Sequence, residues 1–289
     1  MATTRAFRIL NVFTVGKDPF SGNPLCVVED GRGLDDAAML AIARQFNLSE
    51  TTFVLPASAP HASAATARVR IFTPTFEMPF AGHPTLGTAH VTRDLLGCGD
   101  RVVLEMKAGL VEVTAREDAW TLRTARPPEA KAPEASRAEL AATLRLPEAA
   151  IGERPLWVDT GAEQLVIPLA RAEDVRAARP DSDLIARHAF SPVRKQAMAY
   201  VWARESVDTV VARFFFLSGA VLEDPATGSA CANLGGWMLA TGAPLPVRLR
   251  VHQGEAVKRP SWLELTVDAD RQVFVGGVVR ELGRGTITI

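Results

Sequence analysis

The sequence predicts an α+β protein of two pseudo-repeated domains with a cleft between them, and three observations predict it. The chain has 289 residues, 47% of them hydrophobic, which exceeds the commonest single-core size and supplies apolar material for two cores. Each half runs strands, then a Pro/Gly turn, then a helix of Gly, Ala and Leu almost without charge. Helices so poor in charge should be buried, with strands wrapped close around them. A break at 125–137, Ala-Arg-Pro-Pro-Glu-Ala-Lys-Ala-Pro-Glu-Ala-Ser-Arg, carries three prolines and few large apolar residues, the composition of a linker. The expected domains are therefore 1–124 and 125–289, with the final strand free to return to the first domain.

Taken in order, residues 6–14 and 24–30 read as strands separated by the turn Pro19-Phe20-Ser21-Gly22-Asn23-Pro24. Residues 35–46 read as a helix with Ala38, Leu40, Ile42 and Phe46 as apolar positions and Asp35 and Asp36 favouring its first turn. A strand at 51–55 follows. Ala67, Val69, Ile71 and Thr73 alternate with Arg68, Arg70 and Phe72, a strand with unequal faces. Pro79-Phe80-Ala81-Gly82-His83-Pro84-Thr85 opens a small-residue helix over about 84–96, and strands fill 101–106, 109–115 and 120–124. Beyond the break come a helix at 137–145, strands at 155–159 and 164–169, short helices at 172–178 and 181–188, and strands at 197–203 and 208–216. Glu223-Asp224-Pro225-Ala226-Thr227-Gly228-Ser229-Ala230 then opens the second small-residue helix, 228–241, and further strands complete the chain.

Composition excludes several classes. The charge is balanced, 32 basic against 33 acidic residues, with none of the basic excess that a nucleic-acid groove or an anionic membrane surface requires. No apolar run approaches a membrane span, and the first residues lack the pattern of a secretion signal. Three cysteines, Cys26, Cys98 and Cys231, match no metal spacing and fit a reducing cytoplasm. No dinucleotide fingerprint, phosphate loop, zinc cluster or nucleophile elbow is present, so no cofactor or metal is expected.

Three constellations carry chemistry. Gly82-His83-Pro84-Thr85 and Asp224-Pro225-Ala226-Thr227-Gly228-Ser229 each sit at a helix N-terminus, where unpaired backbone N–H groups and the helix dipole suit an anion. Two such ends facing one cleft hold a carboxylate without an arginine. The competing reading is that Thr85 and Thr227 cap helices and the prolines start them. The third constellation is Asn47-Leu48-Ser49-Glu50-Thr51-Thr52-Phe53, with Glu50 where a helix meets an apolar strand. Partial desolvation there raises a carboxyl toward the range of a general base; the competing reading is a solvated loop glutamate. His83 is placed to orient a carboxylate or relay a proton, or else bonds backbone at a helix start. His90 reads as a packing residue. Cys231 lies just inside the second helix, where the dipole favours a thiolate but small apolar neighbours favour a packing role.

Together these constellations resemble the PhzF-like phenazine-biosynthesis isomerases, which share the diaminopimelate epimerase-like fold. The resemblance runs nearly the whole length. It includes Phe20-Ser21-Gly22-Asn23-Pro24-Leu25, Ile71-Phe72-Thr73-Pro74, Val158-Asp159-Thr160-Gly161, Arg213-Phe214-Phe215, Gln253-Gly254 and Arg259-Pro260-Ser261 besides the three blocks above. It implies two domains, each a central helix wrapped by a mostly antiparallel sheet, with the active site in the cleft between them. It implies Glu50 as the acid/base, His83 and Asp224 as active-site polar groups, and backbone amides around Gly82, His83, Gly228 and Ser229 as a carboxylate clamp. A homodimer is also implied. Related epimerases place a cysteine at each helix start, where this chain has Gly82-His83 and Gly228-Ser229. Asn11 stands where the family often has Asp, Cys26 where it often has Ala, and Cys231-Ala232-Asn233 is unusual.

The expected function is cofactor-independent isomerisation of a small carboxylate-bearing substrate, such as a cyclic hydroxy-amino acid, by proton transfer through Glu50. The alternatives are an amino-acid epimerase or racemase, and a catalytically silent protein that binds a small acid.

Overall fold

The computed structural model describes residues 3–124 and 126–289. The chain divides into two compact units: one runs through Arg123 and takes up Gly276–Ile289, and the other is Thr124–Val275.

The first unit contains β1 (Thr4–Val12), β2 (Asn23–Val28), α1 (Asp36–Phe46), β3 (Glu50–Leu55), β4 (Ala67–Phe72), β5 (Glu77–Met78), α2 (Gly82–Leu96), β6 (Arg101–Met106), β7 (Gly109–Arg116) and β8 (Ala119–Arg123). β1 pairs antiparallel with β2, β2 parallel with β3, β3 antiparallel with β4, and β4 parallel with β6. β6, β7 and β8 continue as an antiparallel meander. The last strand of the chain, Val273–Thr288, pairs with β8 and, antiparallel, with β1, which closes the strands into a barrel. A closed sheet has no edge to leave unpaired. β5 is a short antiparallel addition to β4.

α2 touches β1, β2, β3, β4, β6, β7 and β8 and so occupies the barrel interior. The absence of Asp, Glu, Lys and Arg from Gly82–Thr92 follows from that position, with Arg93 and Asp94 coming only near the helix end, and its small residues follow from the close approach of the strands. A Cβ on Gly87 would sit 2.5 Å from Leu25 Cδ2. The period of two along a strand sorts side chains between α2 and the outer helix α1. Phe53 and Leu55 of β3 join Cys26, Val28, Met39, Ile42 and Ala43 in the core under α1. Thr52 turns the other way, and its hydroxyl meets that of Thr88 on α2 at 2.8 Å. Glu50, two residues before Thr52, starts the strand on the same, α2-facing side.

The second unit contains β9 (Glu129–Lys131), α3 (Arg137–Leu144), β10 (Leu156–Asp159), β11 (Gln164–Pro168), α4 (Ala172–Ala177), α5 (Ser182–His188), β12 (Phe190–Ser191), β13 (Gln196–Arg204), β14 (Thr209–Ser218), β15 (Ala220–Asp224), α6 (Gly228–Thr241), β16 (Val247–Gln253) and β17 (Ser261–Val267), with the start of β18 (Val273–Thr288). The pairings run β9–β10–β11 antiparallel, β11–β13 parallel, β13–β14 antiparallel, β14–β16 parallel and β16–β17 antiparallel. β15 forms a hairpin on β14. One sheet face carries Leu165, Ile167, Ala199, Val201 and Phe215 against Leu140, Leu144, Val175 and Ile185 of α3, α4 and α5. α6 contacts β9, β10, β11, β16 and β17, and Trp202 of β13 meets Trp237 of α6 edge to face at 5.0 Å. A Cβ on Gly236 would lie 2.8 Å from both Pro128 Cβ and Val158 Cγ1.

Several boundaries move. The first small-residue helix begins at Gly82 rather than near 84, so His83 lies in its first turn. The buried stripe of α1 is Met39, Ile42 and Ala43, spaced i, i+3, i+4, whereas Ala38 and Leu40 are only partly covered. The expected linker 125–137 starts at Ala125, which lies outside the described residues, and its residues Glu129–Lys131 form β9 against Trp157–Asp159. Residues 276–289 fall in the first unit, where they pair with β1 along Thr4–Val12. Among the described residues no helix is long and apolar enough to cross a membrane.

Candidate active site

In the first unit three segments meet at the N-terminus of α2. α1 ends at Asn47, whose left-handed backbone (φ 51°) turns the chain while its N–H bonds the Ala43 carbonyl. Ser49 then donates to Asn23 Oδ1 at 3.1 Å, and parallel pairing sets Glu50 beside Leu25. This brings Glu50 to His83: His83 Nε2 lies 3.3 Å from Glu50 Oε2, with the glutamate side chain 14% and the histidine 6% exposed. The two atoms are in contact but off the line of a hydrogen bond.

The histidine's tautomer follows from its other contact. His83 hydrogen-bonds the backbone of Pro24. Proline has no N–H, so the partner is its carbonyl and the ring must donate. Since Nε2 faces Glu50 without a hydrogen bond, the donor is Nδ1. Burial pushes the imidazole pKa down to about 3, and the Pro24 carbonyl opposes this only in part. His83 is therefore neutral, with Nδ1 protonated and a bare Nε2 beside the carboxyl. A glutamate carrying the proton has an acceptor there; one that has given it up does not.

The capping alternatives are decided at both turns. Ala81, not Thr85, is the N-cap of α2, and the Thr85 hydroxyl donates back to the Ala81 carbonyl at 2.6 Å. Thr227 is the N-cap of α6 by position, yet its side chain caps nothing. Its hydroxyl donates to Asp224 Oδ2 at 2.5 Å instead. The amides at the first turns of α2 and α6 are thus left to other partners.

In the second unit Asp224 ends β15 and Gly228 and Ser229 open α6. Gln253, buried at the end of β16, braces the turn between them. Its Nε2 donates to the Asp224 carbonyl at 2.9 Å and to Thr227 Oγ1 at 3.0 Å, and its Oε1 accepts from the Thr227 N–H at 3.3 Å. Gly254 follows with φ 84°, and a Cβ there would fall 2.5 Å from the Pro225 carbonyl oxygen, so only glycine lets the two segments approach. Ser229 Oγ accepts from Gln164 Nε2 at 3.0 Å.

Of the residues expected from sequence, Glu50, Gly82 and His83 are brought together in the first unit, and Asp224, Gly228 and Ser229 share one turn in the second. Gln253, Gln164 and Asn233 were not singled out for a role; lone amide side chains carry no spacing signal, and only the Gln253-Gly254 dipeptide hinted at one. His90 accepts from Trp120 Nε1 at 3.3 Å, as a packing residue would. Cys231 and Cys26 are fully buried, and burial raises both thiols, as in a packing role. Among the described residues no group of three His, Cys, Asp or Glu side chains is placed to hold a metal.

The wrapped helix of the first unit thus brings a buried histidine against a shielded glutamate, and the chain as a whole is similar in sequence and fold to known proteins. The sequence matches the phenazine biosynthesis-like proteins, PhzC-PhzF, over residues 10–279. It is similar to an uncharacterized isomerase of Pasteurella multocida, 37% identical over 289 residues that span 100% of this chain and 96% of that one. Among solved structures it is similar to a predicted epimerase of Pseudomonas aeruginosa, with TM-score 0.79, 29% identity and coverage of 98% and 99%. It also shares the fold of a PhzF-family protein of Bacillus anthracis, with TM-score 0.83, 22% identity and coverage of 99% and 100%. The chain belongs to the PhzC-PhzF family, and it is an isomerase of the PhzF type.

Proposed function

We propose that this protein is a cofactor-independent isomerase that moves a proton on a small carboxylate-bearing substrate, with Glu50 as the acid/base. The observation that carries the reading is the Glu50–His83 contact. A shielded carboxyl beside a neutral imidazole acceptor is a pair that can hold a proton and release it to carbon without a metal or an organic cofactor. His83 keeps the carboxyl in place and accepts from it when Glu50 holds the proton. In this reading the two halves are pseudo-repeats. Asp224 is the second polar group, and the backbone amides at Gly82, His83, Gly228 and Ser229 hold the substrate carboxylate. Fixing the carboxylate fixes the reacting C–H, which turns a bimolecular proton transfer into a local one.

The destination of the proton separates two outcomes. Return to another carbon is isomerisation; return to the opposite face of the same carbon is epimerisation, the reading that similarity to the Pseudomonas aeruginosa predicted epimerase favours. The test is solvent-deuterium incorporation into a panel of small cyclic and acyclic amino and hydroxy acids, with chiral analysis of the products. Label that appears with wild type and not with Glu50→Gln supports the reading, and Glu50-independent label contradicts it. The homodimer implied by resemblance is checked by light scattering.

A further inference from the structure

The N-terminal turn of α6 is backed by a chain of amide side chains whose orientations are fixed one after another. It begins at groups that permit no ambiguity. The backbone N–H of Thr160 can only donate, and it bonds Asn233 Oδ1 at 2.9 Å; the Thr160 hydroxyl adds a second bond to the same oxygen at 2.8 Å. The carbonyl of Ala162 can only accept, and it takes a bond from Asn233 Nδ2 at 2.7 Å. Asn233 is fully buried and its amide cannot be turned over without placing donor against donor and acceptor against acceptor. Its remaining N–H therefore points at Gln164, which must present Oε1, at 2.8 Å. Gln164 then has only Nε2 to offer Ser229, at 3.0 Å.

The consequence falls on Ser229. A hydroxyl that accepts from Gln164 cannot also donate along that line, so its own hydrogen is turned away from the network. Among the described residues no acceptor is paired with that hydrogen. Ser229 is part-exposed, and Gln164 and Asn233 are buried. We propose that Asn233 and Gln164 are positioning residues that hold the Ser229 hydroxyl as an outward hydrogen-bond donor to the substrate's acidic group. The inference rests on the proposed function for the identity of the acceptor, but not for the direction of the hydrogen.

The sequence motif alone does not specify this. A serine at a helix start can cap, bond back to a carbonyl or face solvent; here a buried asparagine one helical turn further on selects a fourth state through a glutamine on the neighbouring strand β11. The arrangement removes a freedom of rotation that the hydroxyl would otherwise lose on binding, which is how a buried network raises affinity without touching the ligand.

Two measurements test it. Neutron diffraction from a crystal exchanged into heavy water shows the Ser229 deuteron directly: it is expected to point away from Gln164, with a Gln164 Nε2 deuteron toward Ser229. A Ser229 deuteron directed at Gln164 overturns the proposal whether or not Glu50 is the acid/base. The second is a double-mutant cycle on the substrate that takes up deuterium in a Glu50-dependent way. Gln164→Met is expected to raise KM by about tenfold, with a smaller change in kcat, and to have little further effect on KM once Ser229→Ala is present. Equal effects in both backgrounds mean a purely structural role and overturn the proposal. Glu50→Gln that retains deuterium uptake sinks the assignment of Glu50 and leaves the neutron result to decide the orientation of Ser229.

Discussion

His83 presents an acceptor, not a proton, to Glu50: its Nδ1–H is spent on the Pro24 carbonyl, and the bare Nε2 lies 3.3 Å from Glu50 Oε2. Within the pair, only a protonated Glu50 could therefore supply a proton. The Ser-Gly-Asn-Pro turn matters to the site because it supplies that carbonyl.

Removing the acceptor while keeping the fold separates positioning from packing. His83→Phe fills the buried space but leaves Glu50 without its neighbour, and is expected to lower kcat by ~10²-fold, within the span usual for acid/base groups. Circular dichroism checks that the variant is folded, and steady-state kinetics with the exchanging substrate gives the result. Unchanged kcat in folded His83→Phe contradicts the role given to the ring.

The low pKa of His83 makes stability depend on pH in a defined window. In the unfolded chain the imidazole titrates near 6.5, and in the folded protein near 3. Between these values the unfolded state binds the extra proton, so stability is fully present above about pH 6.5 and falls with acidification, with a slope approaching ~1.4 kcal/mol per pH unit. Urea unfolding of wild type and His83→Phe at about pH 6.5 and about pH 4.5 checks this. Wild type is expected to lose more than the variant; parallel losses place the proton uptake elsewhere.

Gln253 braces the second turn, and its loss leaves the buried Thr227 N–H without its partner. Gln253→Met is expected to destabilise the protein by about 1–3 kcal/mol. Thr227→Val is the finer probe, since it removes only the hydroxyl that donates to Asp224 at 2.5 Å. It should cost less stability but lower kcat, and unfolding curves with kinetics on both variants separate the two effects.

Two helix glycines face unequal neighbours. A Cβ at Gly87 meets the flexible end of Leu25, whereas one at Gly236 meets the Pro128 ring and Val158 at 2.8 Å. Gly87→Ala asks for a shift at the end of Leu25, with Val12 Cγ2 a further 3.1 Å contact, while Gly236→Ala must push the Pro128 ring and Val158 apart, an overpacking cost of about 1–3 kcal/mol. Thermal unfolding is expected to show Gly236→Ala as the less stable variant.

Much of this was legible in the sequence, for identifiable reasons. The two wrapped helices announce themselves because burial forbids charge over Gly82–Thr92 and along 228–241, and the second is read to the residue. His83 and Asp224 stand out because Gly and Pro punctuate the turns that hold them, whereas Glu50, in Asn47-Leu48-Ser49-Glu50-Thr51-Thr52-Phe53, has no such mark and is singled out by the resemblance to the PhzF-like isomerases. β9 was hidden because Glu129-Ala130-Lys131 is exposed and lacks an apolar face; it is a strand only by pairing with β10. The sequence leaves the final strand free to return to the first domain, but its register against β1 leaves no local mark, because pairing partners so far apart in sequence carry no shared pattern. The hydrogen bonds of the Gln164, Asn233 and Gln253 amides leave no local mark for the same reason, since each partner lies tens of residues away, and only the Gln253-Gly254 and Cys231-Ala232-Asn233 stretches draw notice.

The central claim is that Glu50 carries the proton, and solvent-deuterium uptake measured by mass spectrometry, wild type against Glu50→Gln, tests it most directly. The account predicts label in at least one small carboxylic acid with wild type and a loss of ~10²–10⁴-fold in its rate with folded Glu50→Gln. Label that enters equally fast with Glu50→Gln would contradict it.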